Sequence, residues 1–167
     1  SHGTITPTEA GVDEVGGISG NGTVYSCFST MDLIRSSGVS FDEKIGGIVG
    51  KGDAYFSYIH GTVEGTDYVG GLVGMGKVEN SYAIGTVRGS KYVGGAVGSG
   101  SVRYSYAASV VQGDEAVGGL VGSVSGNNAV VSSYWNVEIS GLDASAGGVG
   151  LSTAEMMSFT SFVDWST

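Results

Sequence analysis

Apolar positions recur along the chain at a fixed spacing, each time around a Gly-Gly pair. A β-branched residue precedes every pair, and an apolar residue and a further glycine follow it within four positions. The pairs are Gly16-Gly17, Gly46-Gly47, Gly70-Gly71, Gly94-Gly95 and Gly118-Gly119, so the first interval is 30 residues and the other three are 24. A fixed period of this length is typical of a repeat architecture, in which each unit buries its apolar face against its neighbours.

Aligned on these pairs, the repeats form columns of constant chemical character. The aromatic column comprises Phe28, Tyr58, Tyr82, Tyr106 and, after four extra residues near Ser123–Gly126, Tyr134. A later apolar column comprises Val39, Val63, Val87 and Val111, with six extra residues around Thr30–Arg35 in the first unit. β-Branched and aromatic residues in short runs between glycines are typical of strands. No repeat has the i, i+3, i+4, i+7 stripe of a helix.

The pattern therefore predicts an all-β chain with three short strands per unit, for example Tyr68–Val73, Lys77–Ala83 and Gly85–Arg88. One unit per turn makes a β-solenoid of about five 24-residue rungs, stacked ~4.8 Å apart as a parallel β-helix. Right-handed coiling is the default for parallel connections. We expect the glycines at corners and bulges.

A second architecture uses the same residues. The segment Leu72–Val78 can form a tight hairpin with Gly74 to Lys77 as its turn, and repeated hairpins would give a prism-like array. The columns of single character favour the solenoid, because stacking one rung per repeat demands them.

The length predicts a single repeat domain over residues 1–167. We divide it into a partial N-terminal rung (1–14), five Gly-Gly repeats (15–136) and a C-terminal cap (137–167). Gly3-Thr4-Ile5 resembles the Gly-Thr-Val of later units, so we expect a piece of a longer array. Ser152 to Glu155 predicts a capping box that begins a short helix through about Phe159. The inner side of this cap would carry Phe159, Phe162, Val163 and Trp165.

Composition narrows the class of protein. There are 32 glycines but one proline, which excludes collagen. The net charge of −9 disfavours nucleic acid and anionic membrane as partners. No apolar run reaches the ~18 residues of a membrane span. Cys27 is the single cysteine, so no intrachain disulfide forms, and it occupies a column otherwise held by serines. A small buried thiol is predicted there.

The repeat resembles the GLUG motif, a short glycine-rich repeat of bacterial surface proteins. The resemblance covers about residues 15–136 and rests on three segments, 69–74 (VGGLVG), 76–83 (GKVENSYA) and 85–89 (GTVRG). Ser133-Tyr-Trp135 and the segment 146–156 resemble the usual end of such arrays. The resemblance implies a secreted or cell-surface, adhesin-like protein. Some IgA-specific metallopeptidases carry the repeat outside their catalytic domain, but the zinc signature His-Glu-x-x-His is absent from this sequence.

Charged columns offer one candidate metal site. An acidic column precedes the glycine pairs, with Asp42 and Asp114 beside it; its members are Asp13, Glu43, Asp67, Lys91 and Glu115. Several carboxylates on one edge could hold calcium. A solvated corner explains the column better, because Lys91 relieves the repulsion between its neighbours and no Asp-x-Asp-x-Gly loop is present. We therefore predict no metal, no cofactor and no catalytic residues.

Aromatic residues offer the best candidate ligand contacts. We expect the column of Phe28 and its four tyrosine counterparts to point inward as a filled core layer. Tyr68 and Tyr92 precede inward valines, so alternation turns them outward. Together with Glu79 and Arg103, they are the predicted ligand contacts.

Three functions follow, from different classes. The leading hypothesis is a non-enzymatic stalk or spacer of an extracellular, surface-anchored bacterial protein with flanking domains. The second is a module that binds a host glycan or an extracellular-matrix protein through an exposed face. The third is a polysaccharide-degrading β-helix enzyme, for which Thr30–Arg35, with Asp32 and Arg35, is the one loop that could carry chemistry.

Overall fold

The computed structural model describes residues 4–5, 13–34, 43–125, 129–162 and 165. The strands are β1 (Thr4–Ile5), β2 (Glu14–Gly16), β3 (Ser19–Tyr25), β4 (Phe28–Ser29), β5 (Asp32–Ile34), β6 (Lys44–Gly46), β7 (Val49–Tyr55), β8 (Tyr58–Glu64), β9 (Asp67–Gly70), β10 (Val73–Glu79), β11 (Tyr82–Arg88), β12 (Lys91–Gly94), β13 (Val97–Arg103), β14 (Tyr106–Gln112), β15 (Glu115–Gly118), β16 (Val121–Val124), β17 (Val130–Val131), β18 (Tyr134–Asn136) and β19 (Val149–Leu151). The helices are α1 (Val137–Ser140) and α2 (Thr153–Met156), and a 3-10 turn follows at Phe159–Ser161.

Three parallel sheets run along the molecule, and successive rungs add strands to each in turn. The first sheet contains β2, β6, β9, β12 and β15; the second contains β3, β7, β10, β13, β16 and β17; the third contains β1, β4, β5, β8, β11, β14, β18 and β19. Val73 pairs with Val49 on one side and Val97 on the other, so one 24-residue repeat is one turn. The chain is a β-solenoid, which confirms the predicted fold class, but it has about four turns and not the five rungs predicted.

The hairpin alternative is wrong. Strand β10 runs unbroken from Val73 to Glu79 and pairs in parallel with both β7 and β13. No turn forms at Gly74 to Lys77, because the backbone hydrogen bonds of this segment go to neighbouring rungs and not back to the same rung.

The core is a narrow column of β-branched and small side chains between the sheets. Its fully buried members include, among others, Ile45, Val69 and Val93 from the first sheet, Val73, Val78, Val97 and Val102 from the second, and Val63, Ala83, Val87 and Ala107 from the third. Burying a valine contributes about 1.5–3 kcal/mol relative to leaving it in water. Each repeat therefore gains most of its stability by stacking on the next one.

Some glycines stand where two sheets touch backbone to backbone. A Cβ on Gly98, near the start of β13, would lie 2.6 Å from the carbonyl carbon of Tyr68 and 2.7 Å from the carbonyl oxygen of Tyr92. Any side chain here would collide with the first sheet. These glycines lie inside strands, as do Gly76 and Gly85, so the prediction that glycines mark corners and bulges holds only in part.

The corner between the second and third sheets is set by one left-handed residue per rung. Asn80 has φ 51°, and its counterparts Ser26, Phe56, Tyr104 and Ser132 have φ between 41° and 52°. This corner divides the expected strand Lys77–Ala83, because β10 ends at Glu79 and β11 begins at Tyr82. The left-handed residue also resets the inward–outward alternation, so that Ser81 turns into the corner.

The serines that follow these residues form a hydrogen-bonded ladder along the axis. The Ser81 hydroxyl accepts from the Ser57 amide at 2.9 Å and donates to the Glu79 carbonyl at 2.8 Å. Ser105 and Ser133 continue the pattern in later rungs. Cys27 holds the first position, where its thiol lies 3.3 Å from the Tyr25 carbonyl and is only partly buried, so the prediction of a buried thiol is wrong.

The extra residues of the first unit lie later than predicted. Phe28 pairs with Tyr58 and Leu33 pairs with Val63, so no residue is inserted around Thr30. Leu33, 1% exposed, takes the core position that the sequence assigned to Val39, which lies outside the described residues. The six extra residues fall between β5 and β6. In the last unit the four extra residues fall between Val124 and Val130, close to the predicted place.

The two ends of the chain add partial rungs. Ile5 pairs with Leu33, as expected from the likeness of Gly3-Thr4-Ile5 to later units. At the other end β19 pairs with β18, and the Ser145 hydroxyl accepts from the amides of Leu120 and Val121. The C-terminal segment therefore covers the last rung, as predicted.

The capping box is confirmed. Ser152 accepts from the amide of Glu155 while the Glu155 carboxylate accepts from the Ser152 amide, and this bond lowers the pKa of Glu155. Phe162 and Trp165 pack on the ring of Tyr134. Phe159 is 77% exposed, so its predicted inward position is wrong, and Val163 lies outside the described residues.

Candidate ligand-binding surface

The outer surface of the third sheet carries the predicted aromatic column. Ring centroids are separated by 5.3 Å between Phe28 and Tyr58, 5.0 Å between Tyr58 and Tyr82, and 5.2 Å between Tyr82 and Tyr106, with nearly parallel planes. The expectation that this column points into the core is wrong; its last member, Tyr134, is buried, but beneath Phe162 and Trp165 of the C-terminal segment. Phe28 is 50% exposed, and the residues that reach the core are their successors, such as Ala83.

The cause lies at the preceding corner. Val78 is buried, and uninterrupted alternation from it would place both residue 80 and Tyr82 inward. The left-handed backbone of Asn80 breaks that alternation and turns Tyr82 outward. Burial, and then the neighbouring Tyr82, raise the pKa of Tyr106.

Tyr68 and Tyr92 form a separate stacked pair on the first sheet. Their ring centroids are 4.7 Å apart with planes 13° from parallel, and both residues are partly buried. The Lys44 ammonium lies 5.9 Å from the centroid of the Tyr68 ring. Both tyrosines have left-handed backbones, with φ 41° and 51°, which is uncommon for bulky residues. The two stacked rings therefore span two successive rungs on the outer side of the first sheet.

Glu79 and Arg103 lie at the far end of the second sheet. They are register partners on β10 and β13. The Glu79 carboxylate accepts from the Lys77 ammonium at 2.6 Å, and this hydrogen bond raises the pKa of Lys77. The same ammonium lies 5.1 Å from the centroid of the Tyr55 ring. Glu79 is thus one member of a small charged and aromatic cluster on the outer face.

The four predicted ligand contacts therefore form two groups. Tyr68 and Tyr92 lie on the first sheet, before the glycine corner, whereas Glu79 and Arg103 end strands of the second sheet. A seven-residue strand such as β10 spans about 20 Å at ~3.3 Å per residue. The pair of tyrosines is a surface of its own.

A third aromatic surface was missed by the sequence reading. Tyr25 is 62% exposed and Phe56 is 61% exposed, both at the corner between the second and third sheets. The ring centroids of Tyr25 and Tyr55 are 4.9 Å apart. Tyr104, which lies two rungs beyond Phe56 at the same position, is also exposed. The sequence feature that could have indicated this surface is the aromatic residue directly before the serine column, Phe56 or Tyr104. In each described rung the residue at this position has a left-handed backbone.

The acidic column of the first sheet is only in part the solvated corner predicted, because Glu115 is exposed but Glu43 is 1% exposed. The Lys91 ammonium lies 2.9 Å from the Glu115 carboxylate, and the backbone of Lys91 pairs with Asp67 and Glu115. The Glu43 carboxylate accepts from the Thr66 hydroxyl at 2.8 Å. No group of three or more metal-ligating side chains occurs among the described residues, and Asp42 lies outside them.

Thr30–Arg35 was suggested as a loop for enzyme chemistry, but within it Asp32–Ile34 forms strand β5. Asp32 begins β5, and its carboxylate accepts from the Thr62 amide at 2.8 Å. Arg35 lies outside the described residues. Asp32 therefore satisfies a backbone donor of the next rung.

Comparison with protein-family models, with curated proteins and with solved structures gives no match. Among the described residues, no helix is long and apolar enough to cross a membrane. The stacked tyrosines, the exposed aromatic corner and the charged pairs are the surface features that could contact a ligand.

Proposed function

We propose that this domain is a non-enzymatic structural module, a rigid spacer or adhesive stalk, of a bacterial secreted or cell-surface protein. The observation that carries the proposal is the continuous register of the three sheets. The 24-residue pairing of Val49, Val73, Val97 and Val121 is repeated in the other two sheets. Because every rung is bonded to the next along three separate lines, bending the rod would break hydrogen bonds on one side.

The placement on a bacterial surface rests on the GLUG-like segments. Two features support a spacer. The serine ladder adds a fourth line of hydrogen bonds between rungs, and the capped C-terminal end covers a sheet end that would otherwise recruit other strands. A rod of about four turns, stacked ~4.8 Å apart, would hold its two neighbours about 19 Å further apart.

The spacer role is tested by placing the module between two fluorescent proteins. We expect a single, narrow donor–acceptor distance, because the rod has one shape. The matched control replaces the module with a glycine–serine segment of equal length, which gives a broad distribution. A distribution for the module as broad as that of the control would refute the rigid spacer.

A second candidate function is recognition of a glycan or an extracellular-matrix protein. The stacked, partly exposed pair of Tyr68 and Tyr92 favours it, since tyrosine combines a large apolar ring with a hydroxyl that can hydrogen-bond a ligand. The purified module would be screened against a panel of glycans and matrix proteins, beside a variant with both Tyr68→Ala and Tyr92→Ala. Binding that the double variant weakens would establish recognition, and silence from a folded sample would leave the spacer.

A further inference from the structure

Two ends of the tyrosine stacks have a lysine ammonium over the terminal ring. A ring in the middle of a stack uses both of its faces, but the last ring has one face left. The last ring of the Tyr25–Tyr55 stack is covered by the Lys77 ammonium of the next rung, 5.1 Å from its centroid. In the Tyr68–Tyr92 stack, the face of the Tyr68 ring opposite Tyr92 is covered by the Lys44 ammonium of the preceding rung, 5.9 Å from the Tyr68 centroid. Two stack ends in this chain are therefore covered by cations.

The face of the Tyr92 ring opposite Tyr68 has a different neighbour. Lys91 pairs with Glu115 and Val93 with Val117, so Ala116 lies directly above Tyr92 in the next rung. Ala116 has the same left-handed backbone, with φ 53° against 51°, but it carries only a methyl group. Among the described residues, Tyr68 is the only ring or ammonium that lies over the Tyr92 ring. Ala116 is exposed, so the described residues of the C-terminal segment leave this place accessible.

We propose that this open face of Tyr92 binds an arginine side chain from a basic segment of a partner protein. The face of a tyrosine ring attracts cations, and a planar guanidinium stacks flat within the single layer that Ala116 leaves. Two lysines already make the same type of contact elsewhere in this chain. The inference concerns a binding site and does not depend on the proposed spacer role.

The surrounding charges suit a cation. Asp114 and Glu115 are both exposed beside Ala116, and Asp67 lies in the rung below Lys91. The neighbouring Lys91 is paired with Glu115 at 2.9 Å, a contact that raises the pKa of Lys91. The chain as a whole carries a net charge of −9, which steers basic partners toward it.

The test is a titration of the isotope-labelled protein with a blocked hexapeptide of alternating glycine and arginine, followed by amide chemical shifts. We expect shifts at Tyr92 and at residues 114–116. Ala116→Tyr fills the layer with a third ring and Tyr92→Ala removes the face, so each should weaken binding about 3- to 30-fold. Neither substitution changes the net charge, so general attraction to an acidic protein stays the same. Tyr92→Ala also serves if Ala116→Tyr fails to fold.

Tyr104→Ala is the matched control, because Tyr104 is an exposed tyrosine with a similar backbone, φ 47°, at the other corner. It should leave the affinity unchanged. Equal affinity of the wild type and the two Tyr92-site variants, or equal loss in Tyr104→Ala, would overturn the proposal. So would shifts at residues 114–116 caused by a chito-oligosaccharide and not by the arginine peptide, since the face would then be a sugar-stacking surface.

Discussion

From the second rung onward, one serine hydroxyl per rung forms hydrogen bonds at the corner between the second and third sheets. The side chain of Ser81 is buried, and it bonds an amide of the rung before it and a carbonyl of its own rung. The Ser81 hydroxyl is the acceptor of the Ser57 amide, and a buried amide left without an acceptor costs about 1–3 kcal/mol. The repetition of serine in this column follows from that geometry and needs no ligand to explain it.

Ser81→Ala should lower the free energy of unfolding by about 1–3 kcal/mol, because the Ser57 amide loses its acceptor. Urea unfolding measures the change. Ser101→Ala, on the outer face of β13, is the matched control and should stay within about 0.5 kcal/mol of the wild type. Equal effects of the two substitutions would show that the ladder contributes nothing specific.

At the level of strands, the sequence predicted the period and the columns but not their direction. The pairing of Tyr58 with Tyr82 and of Val63 with Val87 was available from spacing alone. The direction of the tyrosines was not, because a single left-handed residue at Asn80 reverses the alternation and asparagine tolerates several backbone conformations. The place of the first insertion was missed for a related reason, since Leu33 and Val39 are both apolar and only the pairing with Val63 tells them apart.

For the candidate site, the sequence predicted the outward direction of the tyrosines but not which residues lie beside them. Alternation from Val69 and Val93 indicated that Tyr68 and Tyr92 leave the core, and the structure shows them partly exposed. Their grouping with Glu79 and Arg103 was not supported, because strand length separates the two pairs. The stacking of the rings, and the role of Ala116 above them, depend on knowing which residues are register neighbours.

Gly98→Ala should destabilise the protein by about 3 kcal/mol or more, because the new methyl would meet backbone atoms of Tyr68 and Tyr92 that cannot move aside. Thermal or urea unfolding measures the loss. Gly147→Ala is the comparison variant, since the atoms nearest its methyl would be side-chain atoms of Val130 and Val124, the closest 2.7 Å away, and not backbone atoms. A loss no larger for Gly98→Ala than for Gly147→Ala would contradict the close contact of the first and second sheets.

At the level of the whole molecule, the C-terminal segment closes an end that the repeats leave open. Ser145 bonds the amides of Leu120 and Val121, and the indole of Trp165 donates to the Ser132 carbonyl at 2.6 Å. Unpaired strands at the end of a sheet recruit strands from other molecules. The segment therefore limits the length of the rod as well as stabilising its last rung.

Deleting residues 140–167 should raise the oligomeric mass or make the protein insoluble, because the last strands of the second and third sheets lose their cover. Size-exclusion chromatography with light scattering measures the change. A substitution of Met157, which is 84% exposed in the same segment, should leave the mass unchanged. A truncated chain that stays folded and keeps the oligomeric state of the full-length chain would show that the cap is dispensable.

The exact 24-residue register has a genetic consequence. Recombination between two misaligned copies of a repeat adds or removes whole blocks of twenty-four codons, and each block encodes one complete turn with its three strands, its buried valines and its corner serine. Such an event lengthens or shortens the rod by about 4.8 Å while every hydrogen-bonding line resumes in phase. A gene for this fold can therefore change the reach of its product in discrete steps, without passing through a misfolded intermediate sequence.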